Sequence, residues 1–205
     1  MSITTNFFFG KYQKVEYIQS DWNQWIDTLF KWNQNTTFEI KCRITQWNSA
    51  YQMWPWWDMW SNTSNSIQIV FRTPWWDWSS VNNRFWWTIA SLYSSDTPIW
   101  TDIVVNTSKN WFILNWVSKT RTWTVWTFTT ENNMRLLQVK NKNWTEWFIW
   151  RTYYSKIRDN WTLTRNFVPC YRKSDNVIWM LDIINKVFYT NQWSWTFSKW
   201  SNIPR

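Results

Sequence analysis

Short runs in which apolar and polar residues alternate recur along almost the entire chain. The run from Thr37 to Thr45 is the most regular of them. Its apolar positions are Phe38, Ile40, Cys42 and Ile44, and the charged positions between them are Glu39, Lys41 and Arg43. Successive side chains of a strand point to opposite faces, so this alternation predicts a β-strand with one buried and one exposed face.

Other segments have the same strand character and are separated by residues typical of turns. No window shows sustained helical periodicity, so the chain is predicted to be an all-β sandwich or barrel. Two longer stretches, Trp47–Asn65 and Thr73–Asn83, are predicted to be surface loops. The further predicted strands are Val15–Gln19, Ser66–Arg72, Ile99–Asn106, Trp111–Val117, Arg121–Thr129, Met134–Lys140, Phe148–Ile157 and Lys186–Thr190.

The length of 205 residues suits one large β domain, and 44% hydrophobic residues suffice for a core. We expect a loose N-terminal segment over residues 1–10 and a single domain over 11–205. No apolar run is long enough to predict a membrane span, and the N-terminus shows no signal peptide.

The chain has far fewer glycines than its many predicted turns would require, and far more tryptophans than usual. The chain has 26 tryptophans and one glycine, although turns with positive φ need glycine or asparagine. Several tryptophans stand where Asn-Gly or Asp-Gly would close a hairpin. These pairs are Asn110-Trp111, Asn115-Trp116, Asn143-Trp144, Asn160-Trp161, Asp21-Trp22 and Asp77-Trp78.

The simplest explanation is translational. UGA encodes tryptophan in some genetic codes and glycine in others, so a UGA-rich gene read with the wrong table would give this pattern. We therefore interpret most of the tryptophans as glycines of the natural protein. The alternative is a natural tryptophan-rich protein that stacks aromatic rings on sugars or bases, but stacking residues belong on faces and not in turns.

Two segments resemble a known family once tryptophan is read as glycine. The first is Val15–Asp21 followed by Ile26–Thr28. The second, running from Tyr153 to Phe197, matches at Tyr153, Ile157, Leu163, Phe167–Asp175, Ile178, Asp182, Lys186–Asn191 and Thr196–Phe197. They are similar to the opening and closing strands of the laminin-G-like, concanavalin A-like jelly-roll domains of bacteriophage and bacterial surface proteins; Leu181 departs from the pattern, where the family tends to have an aromatic residue. The resemblance implies a two-sheet antiparallel jelly-roll sandwich.

The residue types present exclude the commonest hydrolase mechanisms. The chain contains no histidine, so neither a Ser-His-Asp triad nor a His-based zinc site can form. Glycosidases need two carboxylates, and the related glucanases carry a tight Glu-x-Asp-x-Glu cluster that this chain lacks. We therefore predict that the protein is not an enzyme, with glycoside hydrolysis by distant carboxylates as the remaining alternative.

Few residues suggest a ligand site. Asp58 and Asp77 lie in the two long loops, where they could hold sugar hydroxyls or calcium, or could be ordinary turn residues. We predict no other cofactor and no metal site. Cys42 and Cys170 are interpreted as buried thiols, with one disulfide as the alternative.

The chain is basic, with a net charge of +9, but its lysines and arginines are scattered. We expect a solvated basic surface and no specific nucleic-acid partner. The leading hypothesis is a lectin-like module that binds a glycan or cell-surface polymer, in an extracellular or virion-associated protein with other virion or surface proteins as possible partners. The alternative is a structural virion or assembly component that binds no sugar.

Overall fold

The computed structural model describes residues 10–20, 24–46, 67–72, 80–85, 88–93, 101–121, 125–128, 133–136, 149–191 and 197–201. Within these ranges every named element is a β-strand, and only Gly10 and Lys11 have helical backbone. The loose N-terminal segment that the sequence predicts lies almost wholly outside them. No helix in the described ranges is long and apolar enough to cross a membrane.

Sixteen strands are assigned in the described ranges. They are β1 (Tyr12–Lys14), β2 (Ile18–Ser20), β3 (Ile26–Asp27), β4 (Thr36–Gln46), β5 (Ile67–Arg72), β6 (Ser80–Phe85), β7 (Thr88–Tyr93), β8 (Ile103–Thr107), β9 (Trp111–Leu114), β10 (Val117–Thr120), β11 (Arg135–Leu136), β12 (Ile149–Asp159), β13 (Thr162–Arg172), β14 (Ile178–Asp182), β15 (Val187–Tyr189) and β16 (Ser198–Lys199).

One large antiparallel sheet dominates the fold. Its eleven strands include the path β10-β9-β8-β4-β12-β13-β14-β15; β1 pairs with β13, and β2 pairs with both β12 and β16. Two smaller antiparallel sheets accompany it, the ribbon β3-β11 and the three-stranded sheet β5-β6-β7. The prediction of an all-β fold is therefore confirmed.

The centre of the main sheet is the long pair β4 and β12, which stay in register except at two irregularities. Along β4 the alternation is as the sequence predicts: Phe38, Ile40 and Cys42 are fully buried, whereas the charged residues between them are partly exposed. The period of two thus gives β4 one core side and one outward side.

The hydrophobic core lies on one side of the main sheet. Phe38, Val105, Ile157 and Phe167 contribute from its central strands. Ile26 and Leu136 of the ribbon cover them, together with Trp32, Phe128 and Met134 from connecting segments. Full burial of each large apolar side chain stabilises the fold by about 1.5–3 kcal/mol, so this packing holds the ribbon against the sheet.

A smaller apolar cluster lies on the opposite side of the same sheet. Val168, Cys170 and Leu181 form it, and Tyr12 and Phe188 pack against it. Val168 follows Phe167 of the main core, so β13 buries residues on both of its faces. The two cysteines therefore occupy different sides of the sheet, and both are free buried thiols, as the sequence interpretation favoured over a disulfide.

Two of the predicted Asn-Trp turns join paired strands. Asn115-Trp116 connects β9 to β10, and Asn160-Trp161 connects β12 to β13. Asn110-Trp111 instead ends a longer connection, because Thr107 and Phe112 are the last paired residues and Trp111 already belongs to β9. The other predicted pairs lie outside the described residues.

Four strand or loop assignments from the sequence need correction. In the predicted strand Val15–Gln19 only Ile18 and Gln19 belong to a strand, β2. The run Trp111–Val117 is not one strand, because the turn at Asn115-Trp116 divides it between β9 and β10. The predicted loop Thr73–Asn83 is wrong at its end, where Ser80–Asn83 belong to β6 and pair with β5 and β7.

The predicted strand Arg121–Thr129 is wrong where it is described, at residues 121 and 125–128. Arg121 is buried, its backbone N–H donates to the carbonyl of Asn110, and its guanidinium donates to the carbonyl of Ser108. The backbone N–H of Phe128 donates to the side chain of Gln34. These hydrogen bonds run to loops and side chains rather than to a neighbouring strand.

Candidate functional site

The outward side of β4 and β12, opposite the face that packs on the core, carries a group of charged and tyrosine side chains. We call this surface the basic face. Its members are Glu39, Lys41 and Arg43 of β4, Arg151, Tyr153, Tyr154, Lys156 and Arg158 of β12, Asp102 before β8 and Tyr17 before β2. Five cations stand against two carboxylates there, and the exposed Glu16 adds one further negative charge near Tyr17.

A β-bulge shapes the middle of this surface. Thr152 pairs with Cys42 and Tyr154 pairs with Lys41, so Tyr153 is the extra residue on β12. A bulge lets neighbouring side chains escape strict alternation. Tyr153 accordingly contacts outward residues, with its ring 4.7 Å from Lys41 Nζ and 5.6 Å from the ring of Tyr17.

Asp102 accepts hydrogen bonds from several side chains in the middle of the basic face. Lys41 Nζ lies 2.8 Å and Arg43 Nη2 2.5 Å from its carboxylate oxygens, and the Tyr153 hydroxyl also bonds to it. Burial alone would raise the pKa of Asp102, but the hydrogen bonds from these three residues outweigh burial and lower it. Burial and the bond to Asp102 raise the pKa of Tyr153 to about 12.

Glu39 forms a second, similar pair of ion pairs on the basic face. Lys156 Nζ lies 2.9 Å and Arg158 Nη1 3.2 Å from its carboxylate oxygens. Burial opposes ionisation of Glu39, yet the bond to Lys156 and the two positive charges lower its pKa. Both carboxylates of the basic face are therefore held ionised, and each is paired with two cations, so the face keeps an excess of positive charge.

Arg151 is the exception among the five cations. Its Nε donates to Gln19 Oε1 at 3.2 Å, and its guanidinium lies 4.4 Å from the ring centre of Tyr17 and 6.0 Å from that of Trp200. No carboxylate forms a salt bridge with it among the described residues. Arg43 sits directly opposite Arg151 across the strand pair, but Arg43 is compensated by Asp102.

The residues that the sequence singled out contribute little here. Asp58 and Asp77 lie outside the described residues, so their role in holding calcium or sugar hydroxyls remains a prediction. In the described ranges no group of three or more His, Cys, Asp or Glu side chains is arranged to hold a metal ion.

Only part of the basic face is evident from the sequence. The outward direction of Lys41 and Arg43 follows from the alternation in β4, and the structure confirms it. Asp102, Arg151 and Tyr17 were missed, because they are distant in sequence and only the strand pairing brings them to β4. The run Arg151 to Arg158, dense in cations and tyrosines within one strand, was the available signal.

The basic face is a surface that can bind through ring faces, hydroxyls and one uncompensated guanidinium. No protein-family model, curated protein or solved structure matches the chain.

Proposed function

We propose that this protein is a non-catalytic recognition module of the concanavalin A-like jelly-roll kind, which binds a glycan or another cell-surface polymer through the basic face. The observation that carries the proposal is the composition of that face. It presents tyrosine rings beside four cations whose side chains are 27–33% exposed, and most of these residues belong to the paired strands β4 and β12 rather than to loops.

The electrostatics of the basic face favour binding over hydrolysis. A glycosidase needs one carboxylic acid whose pKa is raised so that it can donate a proton. Glu39 and Asp102 have lowered pKa values, because lysine and arginine side chains hold both of them ionised. Neither carboxyl group is suited to act as the general acid.

The jelly-roll assignment is supported by the large antiparallel sheet and by the ribbon that packs on its core side. It also rests on the resemblance of Val15–Asp21 and Phe167–Asp175 to the family. The same resemblance underlies our proposal that the protein acts at a cell surface or in a virion.

Binding to a panel of immobilised glycans and bacterial cell-wall fractions tests the proposal. A Lys41→Gln/Arg151→Gln/Lys156→Gln variant removes three cations but leaves Arg43 with Asp102 and Arg158 with Glu39. The matched control replaces the exposed lysines Lys14, Lys31 and Lys173 by glutamine, which removes the same charge elsewhere.

We expect the unchanged protein and the control to retain binding to at least one polymer, and the basic-face variant to lose it. Absence of binding to every glycan and wall fraction would overturn the proposed function. Equal binding by the two variants would exclude the basic face as the binding surface.

A further inference from the structure

One corner of the basic face combines a buried phenol with the uncompensated guanidinium. Tyr17 is only 3% exposed, and the rings of Tyr17 and Trp200 are nearly parallel, at 8° and 6.3 Å between centres. The indole of Trp200 is itself 61% exposed. Trp200 therefore covers Tyr17 from the solvent side.

The hydroxyl of Tyr17 has no hydrogen-bond partner within the described part of the chain. A buried hydroxyl without a partner costs about 1–3 kcal/mol of desolvation, so native proteins seldom leave one unexplained. Burial also raises the pKa of Tyr17, with a smaller opposing effect from Arg151, so the group is neutral and can donate a hydrogen bond.

Arg151 lies against the same ring. Its Nε binds Gln19, while its two terminal nitrogens make no hydrogen bond to any described residue. The guanidinium fork fits carboxylate and phosphate groups with two parallel hydrogen bonds. The corner thus offers an anion-binding fork, a ring face and an unused hydroxyl where β12 pairs with β2.

We infer that Tyr17 and Arg151 form a subsite for an anionic sugar residue of a surface polymer, with the ring on Tyr17 and the acidic group on Arg151. The inference rests on the proposed function and specifies its substrate class. Trp200 covers the subsite, so a glycine at position 200 opens it. This agrees with our proposal that most tryptophans of this chain are glycines in the natural protein.

A sugar polymer fits these observations better than a nucleic acid. Nucleic-acid affinity comes mainly from several phosphate contacts made by free lysines and arginines. Four of the five cations here are already engaged in ion pairs with Glu39 or Asp102. A single free guanidinium beside one tyrosine ring matches one acidic group on one sugar.

The test compares polygalacturonate with its fully methyl-esterified form, which has the same backbone without the charge. Poly(glycerol phosphate) tests phosphate as the anion, and an oligothymidylate tests a nucleic acid. Calorimetry is performed on the unchanged protein, on Trp200→Gly, and on Trp200→Gly combined with Arg151→Gln. Trp200→Gly combined with Arg172→Gln is the matched control, because Arg172 also lies over an aromatic ring but is paired with Asp175.

We expect Trp200→Gly to bind an acidic polymer more tightly than the unchanged protein and more tightly than the neutral ester. Adding Arg151→Gln lowers this affinity about tenfold, the usual effect of losing a hydrogen bond to a charged group. Adding Arg172→Gln changes it less than about twofold, as expected for a surface ion pair. Tighter binding of poly(glycerol phosphate) than of polygalacturonate would overturn the assignment to an anionic sugar, because that polymer has no sugar ring to lie on Tyr17.

Equal affinity for polygalacturonate and its ester, unaffected by Arg151→Gln, would overturn the subsite while leaving polymer binding intact. Tighter binding of the oligothymidylate than of either acidic polymer would also overturn it. Absence of binding to any polymer would instead count against the proposed function itself.

Discussion

At the scale of single residues, Trp161 has a backbone conformation that is unfavourable for a residue with a side chain. Asn160 and Trp161 have φ values of 47° and 70°, both in the left-handed region. Two consecutive positive φ values characterise the two-residue hairpin turn for which Asn-Gly is preferred. This left-handed conformation costs a residue with a Cβ atom about 1–2 kcal/mol, whereas glycine adopts it freely.

We predict that Trp161→Gly raises the free energy of unfolding by about 1 kcal/mol, because the relieved backbone strain exceeds the added entropy of the unfolded chain. The indole is 71% exposed, so little packing is lost. Urea denaturation of the purified variant measures the change.

Trp116→Gly is the matched control for Trp161→Gly. Trp116 also occupies a hairpin turn and is 97% exposed, but positive φ in that turn is found at Asn115 and not at Trp116. We expect Trp116→Gly to be neutral or to lower stability by up to about 1 kcal/mol. Equal effects of the two substitutions would contradict the argument from backbone conformation.

The unpartnered hydroxyl of Tyr17 gives a second prediction at this scale. In the unchanged chain, Tyr17→Phe should raise the free energy of unfolding by about 1 kcal/mol, because it removes a buried polar group without a partner. In the Trp200→Gly background the gain should vanish, because water then reaches the hydroxyl. Thermal unfolding of the four proteins measures both values.

Tyr153→Phe is the control for Tyr17→Phe, because the Tyr153 hydroxyl bonds to Asp102. It should lower the free energy of unfolding by about 1 kcal/mol, the net value of one hydrogen bond. Stabilisation by Tyr153→Phe, or a loss of stability on Tyr17→Phe, would refute the assignment of the two hydroxyls.

At the scale of elements, the ion pairs on the outward side of β4 and β12 make the stability of the fold depend on pH in the acidic range. Glu39 and Asp102 have pKa values below their ordinary values of 4.5 and 3.8. A carboxyl group with a lowered folded-state pKa contributes stability above its ordinary pKa and loses it as the pH falls through the lowered value. The contribution of these ion pairs to stability is therefore complete at neutral pH and is lost progressively as the pH falls from about 5 through the two lowered pKa values.

We predict that Glu39→Gln and Asp102→Asn each flatten the decline in unfolding free energy between about pH 5 and pH 2. Glu16→Gln is the control, since Glu16 is exposed and forms no salt bridge among the described residues. Urea denaturation at half-unit pH intervals gives the slopes. An unchanged slope in both basic-face variants would contradict the role of these ion pairs.

The elements also show where sequence patterns were informative. The strict alternation from Thr37 to Thr45 predicted β4 and its outward charges correctly. The prediction of a strand over Arg121–Thr129 was wrong, although the composition of this run is strand-like. The hydrogen bonds of Arg121 and Phe128 go to loops and side chains. Composition records the propensity of a segment, but a strand exists only when a neighbouring strand supplies the ladder.

At the scale of the whole molecule, the main sheet separates the two cysteines. Cys42 faces the main core and Cys170 lies in the smaller cluster on the other side. Burial raises the pKa of the Cys170 thiol to about 12 and that of Cys42 further still. Both thiols are therefore protonated and shielded at neutral pH.

We predict that neither thiol reacts with Ellman's reagent on the timescale of minutes in the native protein, because the thiolate is the reactive form. In denaturant without reductant two thiols per chain should react, since no disulfide joins them. Fewer than two reactive thiols after unfolding would show a disulfide and contradict the arrangement of the sheet.

The sequence by itself determined the β class, the two faces of β4 and the positions of the hairpin turns at Asn115 and Asn160. These properties depend on the period of two and on local backbone preference, which neighbouring residues encode. Only the tertiary structure decided the basic face, because Tyr17, Asp102 and Arg151 are brought together by strand order and register. Likewise, the burial of Tyr17 depends on Trp200, which is far away in sequence and reaches it through β16 beside β2.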